Sequence, residues 1–529
     1  MLMKKKKIAV VLLPFILCGS GGQLFAQRTE PAATLLPGRQ LMADTTWVAE
    51  TSGLESVFHV PTYYPCNPIV KADRPWELNV NGDPYAAPFS GGVWFDETDG
   101  KYKMWYSAGG GKRLGLITCY AESEDGKSWL KPVLDVVPGT NIVDTLEHDC
   151  VSVLLDKHET DASKRFKMFI VEFNSRFTVS MKLKYSSDGI HWSGPQALSG
   201  ELYDRCAAYY DPFRGKYVLS LKTIDGPYGR ARNYLAHQDS EMLVSLAHRV
   251  YDNQADKFIR YWFHADEDDP RNPHFPAIRP QIYNHEAMPY ENLMLGYFTV
   301  WQGPENDACD SLMVQKRNEV LVGFSRDGFH WDRRFKQPFL PVSEDFHAWN
   351  AGNVQSVAGC PLIVGDSLYF YMSGRYNSKP KHDSNFATGL AMLRRDGFVS
   401  VRAGQEEGTL LTKPFRLDGA YLFVNADVCG KKSSLRVELL NESGQPVPGF
   451  TRRDCVVMKK VDSTKFLITW KSHSDVSSLK GKTVRVKFYL KEADLYSFWF
   501  SPWKTGESNG YTAGGGPGLS RTGRDTLVR

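Results

Sequence analysis

Acidic side chains at the threshold of apolar strands are the residues of this sequence best suited to chemistry. Asp149 stands before Cys150-Val151-Ser152-Val153, at a position that Thr or Gly would more commonly fill. Asp204 precedes Cys206 with Arg205 between them, and Glu286 comes just before Met288-Pro289-Tyr290. Two carboxylates facing each other across a cleft can share the parts of proton donor and base or nucleophile that cleavage of a glycosidic acetal requires. A third can hold the donor's pKa up by like-charge proximity. Asp149, Asp204 and Glu286 are therefore the candidate catalytic set.

Several neighbours could hold a polar ring. Glu147 and His148 flank Asp149, Arg205 follows Asp204, and His347, Trp349 and Asn350 precede a later strand, with Trp349 able to stack on a sugar face. Arg230 and Arg232, near Gly226 and Gly229, could bind carboxylates or sulfates on an acidic sugar. Each has an ordinary alternative. Asp149 could be a strand-start hydrogen-bonder, Asp204 a salt-bridge partner of Arg205 or Arg214, and Glu286 a solvated hairpin residue. Trp349 could be a core aromatic, and the arginines exposed loop charge. No metal site is expected: apart from Cys18 there are eight scattered cysteines and no Cys-x-x-Cys. A Ca²⁺ ion on the axis is left open.

The elements that must position these groups announce themselves through a repeated turn. Ser-x-Asp-Gly-x-x-Trp occurs at 123–129, 186–192 and 325–331, with a partial copy from Arg395 to Val399. The Asp carboxylate can accept hydrogen bonds from backbone N–H groups just beyond it, and Gly supplies positive φ without steric cost. Asp125 and Asp188 lie 63 residues apart, Asp327 and Asp396 lie 69 apart, and Asp188 to Asp327 spans 139. The double interval calls for a degenerate copy, for which His237-Gln238-Asp239-Ser240 is the candidate. An aromatic strand precedes each turn, at Lys101–Tyr106, Arg165–Phe169, Lys216–Leu219, Asn292–Tyr297 and Ser367–Tyr371. Five units of about four strands predict a five-bladed β-propeller over 84–404. Counting back from each aromatic strand places Ser90, Asp149, Asp204, Glu286 and Asn350 near the loops that enter the inner strands. The Asp turns belong on outer hairpins, as structure.

From Thr409 longer alternating strands take over, through Tyr421–Val424, Leu435–Leu439, Phe466–Trp470, Thr483–Phe488 and Leu495–Trp499. They predict a second domain over 405–500, a C-terminal β-sandwich, followed by a Gly-rich tail, 501–529, read as a loop or extended arm. The fold class is all-β. A lead-in, 27–83, is expected to pack on the propeller and could close its ring.

Residues 1–26 read as a signal peptide, with Lys4 to Lys7 basic, Ile8 to Leu17 apolar, and Leu24-Phe25-Ala26 a cleavage site. Export to the periplasm or the exterior is expected. Cys18 raises a lipoprotein reading, but Leu17 before it fits that processing poorly. No apolar run is long enough for a membrane span. The charge of +4 includes the four signal lysines, so the body is close to neutral and asks for no nucleic acid. Aromatic residues at 13%, 45 Gly and 29 Pro suit many short strands and turns. Oligomeric state is not legible.

With this organisation on the page, the chain resembles the five-bladed β-propeller glycoside hydrolases of families 32 and 43, the arabinanase, invertase and levansucrase-like enzymes. It resembles more narrowly the exported bacterial family-32-like proteins. The segments that carry the likeness are Ala49–Leu54, Asn67–Val70, Phe95–Glu97, Tyr210–Tyr217, Thr409–Phe415 and Leu422–Ala426. The invertase-type Asn-Asp-Pro-Asn-Gly, Arg-Asp-Pro and Glu-Cys sequences are absent. The resemblance implies a glycoside hydrolase acting on a poly- or oligosaccharide without a redox cofactor. Two rivals stay open: a non-catalytic carbohydrate-binding propeller, permitted because unit one offers no acid, and a sialidase-like hydrolase, which would need six blades and an arginine triad.

Overall fold

The computed structural model describes residues 33–528 apart from 112–114, 175–177, 252–253 and 377–384. The expected signal peptide lies outside the described residues. Regular structure is nearly all β; two short α-helices, Ser240–Leu246 and Asn306–Leu312, are the only ones among the described residues. No described helix is long and apolar enough to cross a membrane.

Between residues 84 and 404 the strands fall into five antiparallel groups in chain order. In the first, Ala86–Ala87 and Val93–Asp96 both pair with Lys101–Ala108, which pairs with Leu116–Ser123. The second runs through Phe166–Phe173, Val179–Ser186 and Ala197–Leu202. The third is Ala207–Asp211, Lys216–Asp225, Gly229–His237 and Arg260–Phe263. The fourth is Gln281–Glu291, Leu293–Gly303 and Arg317–Ser325. In the fifth, Asn353–Gln355 and Leu362–Val364 pair with Ser367–Tyr376, which pairs with Asn385–Arg394. Its outermost strand is Thr62–Tyr63, brought from the N-terminal segment.

The groups are not five separate sheets. Ile142–Leu155, a strand of 14 residues, is the last strand of the first group at its start and the first strand of the second at its end. The fourth and fifth groups share a single parallel pairing, Asn318 with Asn353. Contacts run from each group to the next and from the fifth back to the first. Val153 donates its N–H to Gly91 O, and Ala208 donates to Ser152 Oγ. The rings of Tyr209 and His285 lie 6.3 Å apart, and Ser356 donates to Thr299 Oγ1. Phe89 then donates to Ser373 Oγ, with the Tyr85 and Phe386 rings 4.6 Å apart.

The Asp turns fasten neighbouring groups. Asp188 Oδ1 accepts the Ile190 and His191 N–H groups at 2.8 and 2.9 Å, and Asp125 and Asp327 hold their turns the same way. Gly189, at φ +82°, lies flat under Trp105; a Cβ there would come within 2.4 Å of the ring. The Trp105 indole N–H donates to Gly189 O at 2.7 Å, tying the second group to the first. Tyr371 does the same to Gly126 O, and Trp262 to Phe329 O. The degenerate copy takes another form, with Asp239 capping the helix Ser240–Leu246 by accepting Met242 N–H at 2.8 Å. The partial copy differs more. Asp396 is fully buried and accepts from Tyr290, Ser497 and Arg39 rather than bracing an outer hairpin.

Beyond residue 404 two sheets share one apolar core that includes Leu410, Val424, Val437, Phe488 and Phe498. The N-terminal segment enters both, Val48–Ser52 pairing with Gly408–Thr412 and Leu54–Phe58 with Val399–Ala403. The tail returns to the first region. Tyr511–Thr512 pairs with the end of Gln281–Glu291, and Gly514 O and Gly515 O accept the N–H groups of Phe95 and Ile363. It thus straps across the far ends of the inner strands. All eight described cysteines are unpaired.

Candidate active site

The inner strands of the five groups converge around Glu286, in a narrow cavity lined from Ser90, Ser152, Tyr209 and Ala358 among others. At one end the tail closes this axis, with Tyr511 and Ala513 beside Trp94, His158 and Pro289. Asp149, Asp204, Arg205 and Tyr283, all half-buried near where the chain enters inner strands, form the candidate mouth.

Asp149 reaches the mouth because its strand bulges. Cys150 pairs with Val171 and His148 with Glu172, so Asp149 has no cross-strand partner and is free to turn away from the ladder. Its Oδ2 accepts the Arg205 N–H at 2.9 Å and lies 3.6 Å from Arg205 Nε. Arg205 adopts φ +55°, an unusual conformation for a bulky residue, and stacks its guanidinium 4.6 Å from the Phe89 ring centroid. Its Nε and Nη1 have no hydrogen-bond partner. Asp204 pairs with Lys222. Burial alone would raise the Asp204 carboxyl, but Lys222, Arg205 and Arg230 together hold it below the ordinary carboxylate value.

Tyr283 completes this cluster from the fourth group, again at a bulge, since the register skips from Ile282 to Asn284. Lys316 Nζ lies 5.1 Å from its ring centroid. Burial would raise the phenol, yet Lys316 and Arg205 bring it below its usual range, while Asp204 and Asp149 act on it in the opposite sense. Tyr85, buried beside them, lies within electrostatic reach of Arg205, Asp149, Tyr283 and Arg375. Asp149, Asp204 and Arg205 therefore come together as expected positions, joined by Tyr283, Lys316, Tyr85 and Arg375, which sequence patterning missed. Tyr283 stands at a register skip that the alternation of its own strand does not reveal.

Other expected site residues lie elsewhere. Glu286 is 3% exposed and sits down the axis. It accepts from Ser90 Oγ and from the Val357 N–H at 2.8 Å. Burial pushes its carboxyl up to about 7 despite those donors. It braces three sheet groups from inside rather than facing the mouth. Arg232 is fully buried; it donates Nε to Ser220 Oγ at 3.0 Å, and burial brings its guanidinium down to about 10. Arg230 is fixed by a two-pronged pair with Glu305, both contacts at 2.9 Å, and stacks over Trp301. Neither arginine is free to meet a ligand.

His148 is buried against Thr118 Oγ1 at 3.1 Å, and burial pushes its imidazole down to about 4. Glu147 accepts the Gly115 N–H at 2.9 Å. Trp349 does not offer a platform: it lies on Gly374 and Gly389, where a Cβ would come within 2.2 and 2.0 Å of its ring, and meets Tyr63 edge-on. Asn350 is buried beside it, and His347 is exposed with its N–H on Asp345. Trp349 and Asn350 belong to the packing of the fifth group, and His347 lies on its surface. Among the described residues no cluster of three or more His, Cys, Asp or Glu could hold a metal ion.

No family model matches the chain, and no curated protein matches it. Solved structures do. A glycosyl hydrolase from Bacteroides ovatus is 12% identical, covering 64% of this chain and 94% of its own, at a TM-score of 0.43. A structure from the GH130 family of mannoside phosphorylases, described as containing glycoside hydrolases that target β-1,2-mannosidic linkages in Candida mannan, is 14% identical over 68% and 96%, at 0.40. An N-acetylgalactosamine deacetylase from F. plautii, bound to blood group B trisaccharide, is 11% identical over 70% and 96%, at 0.38.

Proposed function

We propose that this chain is an exported glycoside hydrolase whose active site is the mouth formed by Asp149, Asp204, Arg205 and Tyr283. In this reading the five strand groups are the blades of a five-bladed β-propeller over 84–404, and the two sheets after residue 404 form a β-sandwich. The observation that carries it is the bulge at Asp149, which takes this carboxylate out of the ladder and sets it on the backbone N–H of Arg205, the residue next to Asp204 in the following group. Bulges next to active sites re-aim side chains in this way.

The division of labour follows from the partners. Asp204, kept ionised beside Lys222, takes the part of base or nucleophile. Asp149, as the second carboxylate, is assigned the part of donor to the departing oxygen. Export rests on the basic and apolar segments before Gln27, and N-terminal sequencing of the mature protein tests it.

Hydrolysis is tested with aryl glycosides and plant and host glycans, following release of reducing ends. Asp149→Asn and Asp204→Asn should each lower turnover by roughly 10²–10⁴-fold with the fold retained. Unchanged turnover in both removes the site. One observation favours a second reading, a carbohydrate-binding protein: the first group brings Ser90, not an acid, to the axis. Glycan binding by the wild type without any turnover would select it.

A further inference from the structure

The cations of the mouth are unequally matched. Lys222 is paired with Asp204 and Arg230 with Glu305. Glu147 is turned to the Gly115 N–H. Arg205 has only Asp149, at 3.6 Å from Nε, with its Nη1 left over, and Lys316 makes no ion pair among the described residues. Both border Tyr283, from opposite sides of the junction between the third and fourth groups, and Arg375 adds positive charge from the fifth. A desolvated guanidinium edge without an acceptor is costly to keep unless something arrives to use it.

We propose that the sugar bound at this mouth is anionic, and that Arg205 and Lys316 hold its carboxylate or sulfate group beside the Tyr283 hydroxyl. Guanidinium and ammonium donors to an oxyanion give short, charge-assisted hydrogen bonds, and Arg205 offers the planar edge that suits either group. Tyr283, whose proton the two cations loosen, adds a strong neutral donor. The inference rests on the mouth being the glycan site, and it replaces Arg230 and Arg232, which are already engaged, as the acid-sugar contacts.

The test is calorimetric titration of the full mature chain with galacto- and gluco-configured oligosaccharides in three matched forms: neutral, uronate and 6-O-sulfated. Either charged form should bind at least tenfold more tightly than its neutral counterpart. The advantage should shrink as salt rises and fall about tenfold in Lys316→Gln. Arg205→Gln, checked for an unchanged melting temperature, serves as the second variant. The uronate and sulfate arms distinguish the two sources of charge. Equal affinity for neutral and charged forms, no binding of any charged form, or an advantage that Lys316→Gln leaves intact would overturn the proposal. Turnover of neutral glycans alone would overturn it while sparing the hydrolase reading; tight uronate or sulfate binding without turnover would do the reverse.

Discussion

Two clusters of opposite charges sit at different places in this molecule, and they behave differently. One lies at the junction of the N-terminal segment, the fourth and fifth groups, the C-terminal sheets and the tail. There Arg39, 1% exposed, donates its backbone N–H to Glu291 and its Nη1 to Asp396 and to Thr464 O, while stacking 4.1 Å from the Trp499 ring. Arg395 joins Glu291 to Asp525, and Ser508 bridges the same two carboxylates. Burial would raise the Asp396 carboxyl, but Arg39 and Arg395 hold it down to about 2. The other cluster is the mouth, where Arg205 Nε and Nη1 lack hydrogen-bond partners and Asp204 retains solvent access. Both clusters hold guanidinium nitrogens without hydrogen-bond partners, Arg39 Nε and Arg395 Nε in the first and Arg205 Nε and Nη1 in the second, so it is the solvent access of Asp204 that separates a site from a fastening.

The sharpest way to break that contrast is to remove one member from each cluster. Arg39→Ala leaves Asp396 and Glu291 buried with one cation fewer, and should destabilise the protein by about 3–5 kcal/mol in chemical denaturation. Asp149→Asn, at the mouth, takes the counter-charge from Arg205 but keeps an amide oxygen to accept the Arg205 N–H, and should cost clearly less than Arg39→Ala. Similar losses from both would erase the distinction between fastening and site.

Glu286 sharpens the comparison, being an acid of the axis that belongs to neither cluster. Its folded pKa, about 7, is raised above the ordinary glutamate value, so its contribution is fully present below about pH 4.5 and is lost as pH rises through 7. Relative to Glu286→Gln, the wild type should therefore lose stability between pH 4.5 and 8, by up to about 3 kcal/mol. The expected readout is a sloping difference in denaturation midpoint between the two proteins. A flat difference would mean that Glu286 stays ionised in the axis, and so can act as a third charge for the mouth.

How much of this was legible depended on whether the signal was local. Each Asp turn closes on its own next three residues, so three copies and their spacing made the all-β character of this region legible. Alternating residues such as Leu435, Val437 and Leu439 marked the later sheets for the same reason. The 14-residue strand joining two groups and the pairing of Leu54–Phe58 with Val399–Ala403 are non-local and left no such trace. At the site, counting back from the aromatic strands reached Asp149, Asp204 and Arg205. It overshot at Glu286, down the axis, and passed over Tyr283, because a bulge breaks the alternation on which counting depends. Trp349 misled for a different reason: only Gly374 and Gly389, far on in the chain, leave room for its ring.

The smallest effect offers the cleanest separation. Asp188 holds its turn with two backbone N–H groups and a His191 contact at 2.8 Å, all on an outer hairpin. Those hydrogen bonds keep its carboxyl at about 2 although burial would raise it, so the turn's contribution is present above about pH 4 and lost as pH falls toward 2. Asp188→Ala should cost about 1 kcal/mol, the size of a lost capping interaction, and the deficit should shrink in acid. Turnover per folded molecule should not move, because the turn grips Trp105, buried on a central strand of the first group, and touches none of the residues of the mouth. Asp149→Asn is expected to do the opposite, silencing turnover. If Asp188→Ala also lowered kcat at neutral pH, the outer fastenings would be setting the geometry of the mouth, and the line between the two kinds of acid would have to be redrawn through the sheets themselves.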